Sequence, residues 1–299
     1  MAEKFTGVIP PVITAFDEDG NFDEGAQREI ISFLTPNVQG FYPVGTYGSG
    51  PLMTVEERKR VAEVVVDEVA GRVPVIIHIG AINTAQAVEL ARHAESIGAD
   101  GVGAIPPYYY RYPEKDLLDY FRALIGAVDI PVFAYNNPGL SNNPLSPQMI
   151  KTLADEGLMG LKDSSFDLIT FCQFLDAVDK PGFYHIVGTE AIAAAAVEAG
   201  ATGIISGLAN VWPERMAELW AALESNDGRA AGQAQIRVLR ARAILKYAPT
   251  LVVCYSVLKM RGINAGFPRR PYSPIDEATS ERIREAFTRE GLFEMAPQA

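Results

Sequence analysis

The chain has 299 residues, 48% of them apolar, with 26 basic and 37 acidic side chains and a net charge of -11. That balance excludes nucleic acid and anionic membrane surfaces as partners, and the sequence holds no run of 18 apolar residues that could span a bilayer as a helix. The length suits either two average domains or one large α/β barrel with an addition.

Strand and helix patterns then alternate. Residues 7–16 are an extended apolar run, 17–21 a turn, and Asp23 caps a helix that runs to Leu34. A strand is expected over 38–44. Thr54-Val-Glu-Glu57 is a capping box that opens a helix to Ala70. Further strands are expected over 73–79, 99–105, 130–135, 158–162, 184–188 and 202–206, which makes eight in all. Helices fill the gaps near 84–97, 113–127, 146–154, 166–178, 190–198 and 213–224. Ile97-Gly-Ala-Asp-Gly101 and Ala199-Gly-Ala-Thr-Gly203 repeat one turn, with Gly at a helix end and a strand one residue later. A βα unit of about 30 residues, repeated eight times, predicts a (β/α)8 TIM barrel. The alternative, a doubly wound open sheet, normally carries a Gly-rich phosphate turn after its first strand, and Thr14-Ala-Phe-Asp-Glu18 is not one. Beyond 224–228 the strands give way to helical runs at 229–245, 250–260 and 276–290. The expected organisation is a barrel over 1–226 and a small C-terminal helical domain over 227–299. Cys172, on a helix pattern, and Cys254, in an apolar run, are expected as buried thiols, and their low number fits a reducing cytoplasm. The first residues hold no apolar h-region, so no signal peptide is expected.

In a barrel of this kind the active site forms at the C-terminal ends of the strands. The most informative end is Gly157-Leu-Met-Gly-Leu-Lys162, an uncharged run that closes on a lysine. At a buried strand exit, desolvation disfavours ammonium, and the neutral amine condenses with ketones. The alternative is a lysine that has left the core and pairs with Asp163 in solvent. Tyr135 closes the neighbouring strand at the same rim. It can exchange protons during Schiff-base chemistry, or simply stand as a wall aromatic. Thr46 can relay a proton to it, or be an ordinary turn residue. The glycines of Gly45-Thr-Tyr-Gly-Ser-Gly50 free backbone N–H groups for an anion such as the carboxylate of a 2-oxo acid. They match neither a P-loop nor a dinucleotide fingerprint. Glu190 either accepts from substrate hydroxyls or caps the helix it opens, and with no Lys or Arg before Arg215 in the last two loops a phosphorylated substrate is disfavoured. His78, His93 and His185 fall on separate elements, so no metal site is expected.

Taken together, Gly45-Thr-Tyr-Gly48, Pro106-Pro-Tyr-Tyr109, Ala134-Tyr-Asn-Asn-Pro138, Gly160-Leu-Lys-Asp163, Gly188-Thr-Glu190 and Gly203-Ile-Ile-Ser206 resemble the dihydrodipicolinate synthase / N-acetylneuraminate lyase family of Schiff-base lyases and aldolases. The resemblance spans nearly the whole chain. It implies a barrel with a helical C-terminal domain in a homo-oligomer, usually a tetramer, with no cofactor. It implies Lys162 as the Schiff-base lysine for pyruvate, Tyr135 as the proton-transfer phenol, and Thr46 with Tyr109 of a neighbouring subunit as its relay. Gly188 and Ile205 match positions lining the pyruvate site, with Ser206 beside them. The chain departs from the pattern at three places. Leu140 stands where dihydrodipicolinate synthases carry an arginine for the second substrate's carboxylate. Ala191 replaces one member of the acidic pair of sialic acid lyases. Tyr47 stands where many members have Thr or Ser, which removes a hydroxyl from the carboxylate site. The expected activity is cleavage of an unphosphorylated 2-keto-3-deoxy sugar acid to pyruvate and an aldehyde. Dihydrodipicolinate-type condensation, a dehydratase of related acids and a pyruvate-binding sensor are the alternatives.

Overall fold

In the computed structural model, which describes residues 4–292, the strands come out shorter than the apolar runs that hold them. Seven form a parallel sheet: β1 (Gly7–Ile9), β2 (Ile76–His78), β3 (Gly101–Ala104), β4 (Val132–Asn136), β5 (Gly160–Asp163), β6 (Tyr184–Val187) and β7 (Gly203–Ile205). Their order is β1-β7-β6-β5-β4-β3-β2. The ends of the two expected domains, residues 1–3 and 293–299, lie outside the described residues.

The strand expected over 38–44 does not form as a regular ladder. Its one bridge is Phe41 to Val75. It nevertheless fills the gap between β1 and β2. The N–H groups of Gln39 and Tyr42 donate to Val8 O and Pro10 O, and Phe41 N–H donates to Pro74 O, while Ile76 and His78 donate back to Phe41 O and Pro43 O. The sheet therefore curls into a (β/α)8-type barrel whose eighth stave is irregular. Proline is the physical reason. Pro10, Pro11, Pro43 and Pro74 have no N–H to give to a ladder, and Val44 has turned to a left-handed φ of 62°.

The helices that follow the staves are α1 (Glu24–Leu34), α2 (Val55–Val69), α3 (Thr84–Ser96), α4 (Glu114–Ile125), α5 (Pro138–Ser141), α6 (Pro147–Asp155), α7 (Leu168–Ala177), α8 (Ala193–Ala199) and, after β7, α9 (Pro213–Glu224). Asp23 caps α1 through Ala26 N–H, and Thr54 and Glu57 form the complete capping box of α2. Helix α7 starts later than its apolar pattern. Phe166 takes φ 61° and Asp167 caps the helix instead. Phe171 and Phe174 face the barrel, and Cys172 lies on the outer face, exposed, contrary to the expectation of a buried thiol. Beyond α9 come α10 (Gly228–Ile244), α11 (Thr250–Met260) and α12 (Glu277–Arg289). Among the described residues no single helix is long and apolar enough to cross a membrane.

Alternation along the strands sorts the side chains. Phe5, Ile9, Tyr42, Ile76, Phe133, Ile186 and Ile205 form a cluster inside the barrel, separate from the larger layer between strands and helices. Phe5, Phe133 and Tyr184 close the lower end with edge-on ring contacts of 5.1 and 5.3 Å. The site is built above this plug.

Candidate active site

In β4 and β5, Phe133 pairs with Gly160, and two residues further on Tyr135 pairs with Lys162. A period of two puts both pairs on the inner face. Lys162 is 4% exposed, and Asp163 points to the opposite face, where Asn136 Nδ2 and Ser165 Oγ donate to it at 2.7 and 2.6 Å. The solvent ion pair between Lys162 and Asp163 is thus absent. Lys162 Nζ stands 3.8 Å from the centre of the Tyr135 ring and 4.3 Å from that of Tyr42. Burial pushes the amine below the ordinary lysine range, against the opposing pull of Tyr135.

Tyr135 is also buried. Burial by itself raises a phenol, but the charge of Lys162 and hydrogen bonds with Asn137, Thr46 and Ser164 bring it below its usual value. Asn137 Nδ2 donates to the phenol oxygen at 2.9 Å. Below them His78 makes a triangle of rings with Tyr42 and Tyr135, at centre distances of 5.8 to 6.1 Å. Burial first, then the charges of Arg58 and Lys162, keeps His78 neutral. His93 instead meets Glu63 at 3.0 Å, and His185 meets Val178 O at 2.9 Å, so the three histidines stay apart.

The turn after the irregular stave is tight. Ser49 and Gly50 N–H groups fold back onto Thr46 O and Gly45 O. A Cβ at Gly50 would collide with Val44 O. The N–H groups of Thr46, Tyr47 and Gly48 donate to none of the described residues. The Tyr47 ring crosses the pocket, and its hydroxyl sits where any side chain at Gly207 would have to go. Burial raises this phenol well above its usual value, so it stays protonated.

A pocket of about 360 Å³ gathers these groups. Of the residues expected from the sequence, Thr46, Tyr47, Tyr135, Leu140, Lys162, Gly188, Glu190 and Ile205 line it. Ser206 does not. It is fully buried behind the wall and donates to Glu190 Oε2 at 2.8 Å. Tyr109 lies outside the pocket of its own chain. It is 79% exposed, with φ 84°, and packs edge-on against Tyr110 at 5.0 Å.

Sequence reasoning missed Asn137, Ser164, Phe166 and Arg242 among the lining residues, and Tyr42 beneath them. Asn137 and Ser164 were within reach, since each follows a named site residue by two. Tyr42 was also readable by alternation from a stave that faces the barrel interior. Arg242 lies on α10, 52 residues beyond Glu190, and pairs with it at 2.7 Å. No local pattern marks it.

Comparison with known proteins places this geometry. The model of the dihydrodipicolinate synthetase family matches residues 4–290. An uncharacterized DapA-like lyase of Halobacterium salinarum is 38% identical over 91% of this chain and 89% of its own length. The 4-hydroxy-tetrahydrodipicolinate synthase of Methanopyrus kandleri is 32% identical over 98% and 99%. An Escherichia coli protein named "Probable 2-dehydro-3-deoxy-D-pentonate aldolase" is 34% identical over 97% and 99%. Among solved structures, a prophage protein of the dihydrodipicolinic acid synthase family from Escherichia coli K12, in complex with pyruvate, superposes with a TM-score of 0.93 at 30% identity over 96% of this chain and 99% of that one. The chain belongs to the dihydrodipicolinate synthetase family and is an enzyme of its pyruvate-dependent, class I lyase and aldolase type.

Proposed function

We propose that this enzyme cleaves an unphosphorylated 2-keto-3-deoxy sugar acid to pyruvate and an aldehyde through a Schiff base on Lys162. The observation that carries the reading is the buried Lys162 amine against the Tyr135 ring, at the floor of a pocket whose upper wall is polar at Glu190 and Arg242. The carboxylate of the 2-oxo acid lies against the unpartnered N–H groups of Thr46 and Tyr47. The Tyr47 hydroxyl, directed to Gly207, takes no part. Lys162 Nζ attacks the C2 carbonyl, and loss of water leaves an iminium. Tyr135, as phenolate, takes the proton of the C4 hydroxyl. The C3–C4 bond then breaks, its electron pair moves into the iminium, and the aldehyde leaves. Tyr135 returns the proton to C3, and hydrolysis frees pyruvate and the amine. Thr46, which lines the same pocket as Tyr135, passes protons onward. The Escherichia coli relative named for a 2-dehydro-3-deoxy acid supports the sugar-acid substrate.

A panel of 2-keto-3-deoxy acids, assayed for pyruvate release, tests this reading. Unphosphorylated sugar acids are expected to turn over, and release from none of them would refute it. In the same coupled format aspartate semialdehyde should be a poor partner for pyruvate. Leu140 offers no cation, and losing a charge-assisted carboxylate contact costs on the order of 10- to 100-fold.

The C-terminal helices α10 to α12 are proposed to act as a small domain appended to the barrel, divided near residue 226. The enzyme is proposed to be a homo-oligomer in the cytoplasm, with Tyr109 completing the proton relay of a neighbouring subunit. The support is an exposed pair of tyrosines beside a stiff Pro106-Pro107 segment. Tyr109→Phe keeps the ring and should lower kcat without changing the sedimenting species. Mixed with Lys162→Ala subunits, it should regain activity in hybrids, where one site holds both intact residues. A fully active monomer, or inactive hybrids shown to form, would leave Tyr109 a packing residue.

A further inference from the structure

Arg242 puts a cation in the pocket that the strand loops do not supply, and Glu190 already matches its charge. Arg242 Nε donates to Glu190 Oε1 at 2.7 Å, and Ser206 Oγ donates to Oε2 at 2.8 Å. Gln235, two turns earlier on the same helix, donates to the Glu190 carbonyl at 2.9 Å and accepts from Ala194 N–H at 2.9 Å. Helix α10 thus holds both the main chain and the side chain of Glu190. The Glu190 side chain is 7% exposed and that of Arg242 20%. Of the charged side chains lining the pocket, these two and Lys162 are the only ones among the described residues.

We propose that the Glu190–Arg242 pair selects the far end of the substrate, binding an uncharged, hydroxylated chain and turning away one that ends in phosphate or carboxylate. The inference rests on the Schiff-base reading of Lys162. The pair has no net charge but keeps both kinds of hydrogen-bonding group. Each Glu190 oxygen has a further lone-pair direction, and the two Nη groups of Arg242 bond to none of the described residues. A hydroxyl both donates and accepts, so it can bridge the two without parting them. An anionic end only accepts. To use Arg242 it must lie close to Glu190, where repulsion offsets the attraction, or draw Arg242 away and leave a buried carboxylate unpaired. Arg242 is therefore a masked anion site, and Glu190 is the mask.

The test measures kcat/KM for 2-keto-3-deoxygluconate and for its 6-phosphate, by substrate consumption so that cleavage and dehydration both register. A first arm asks whether pyruvate and borohydride label Lys162 in the wild-type enzyme. Absence of label there overturns the Schiff-base reading itself, whatever the ratios do. Given the label, the wild-type enzyme should prefer the neutral acid. Glu190→Gln unmasks Arg242 and should move the ratio toward the phosphate by on the order of 10- to 100-fold. Arg242→Gln leaves Glu190 as a bare carboxylate and should move it the other way. The opposite signs separate specificity from scaffolding, and either variant gives its answer alone if the other does not fold. A wild-type preference for the phosphate, an unmoved ratio, or equal loss on both substrates in each folded variant would overturn the proposal.

Discussion

Pyruvate followed by borohydride should leave a reduced adduct on Lys162, located by peptide mass spectrometry, and Lys162→Ala should lose both the adduct and turnover. Three features lead to this result. The amine is desolvated at a strand exit. It is free of Asp163, which bonds to Asn136 and Ser165 on the other face. It also lies against two ring faces, Tyr135 and Tyr42, which favour its cationic states, the ammonium and then the iminium. Burial lowers the lysine, so the reactive neutral amine grows in as pH rises through a value below the ordinary lysine range. The labelling rate should reach half its maximum there, below the pH at which surface lysines react. The substitution should not unfold the chain. Truncation leaves a cavity, which costs about 2–5 kcal/mol for a large apolar side chain, but here it also removes an amine whose desolvation opposed folding. Lys162→Met fills the cavity and serves as the folded, inactive control. A label on Lys246 or Lys259 with Lys162 untouched would end the mechanism.

Lys162 and Tyr135 were legible because two independent patterns meet at them. An apolar run marks each as a strand, and the barrel rule sends both strand ends to one rim. Register then does the rest, since adjacent parallel strands of matching length bring their ends side by side. Caps were legible for a similar reason. Thr54 and Glu57 interact over three residues, within the reach of a sequence motif. The eighth stave departs from its apolar pattern because apolarity does not register the donors lost at Pro43 and Pro74. Ser206 ends a strand, which points to the pocket, but its hydroxyl turns to Glu190 behind the wall. Arg242 lay beyond this kind of reasoning. Only the docking of α10 over the mouth of the barrel brings it to Glu190, and that contact depends on tertiary packing rather than on any period or spacing.

The second large effect is expected at Tyr135. Tyr135→Phe keeps the ring against Lys162 and removes the oxygen that Asn137 Nδ2 reaches at 2.9 Å. Without that phenol only Tyr42 remains against the amine, and burial holds its hydroxyl well above the usual phenol value, so it is a poor acceptor for the C4 proton. His78 is held neutral deeper in the barrel, below the rings. The loss in kcat should match the removal of a positioned general acid and base, on the order of 10²- to 10⁴-fold. Thr46→Val should cost less, because Asn137 still holds the phenol. The pH profile separates this role from packing. Tyr135 is held below the usual phenol value, chiefly by Lys162 once the upward push of burial is overcome, so its phenolate forms at lower pH than in a free tyrosine. Wild-type kcat should rise with pH through that value, and the rise should vanish in Tyr135→Phe. Stability should fall only modestly, by about 1–3 kcal/mol, because one buried Asn137 donor is left unpaired while the core volume is kept. Pyruvate should still be trapped on Lys162, though more slowly, since the nucleophile remains. A Tyr135→Phe enzyme with wild-type kcat and an unchanged pH profile would reduce Tyr135 to a wall of the barrel.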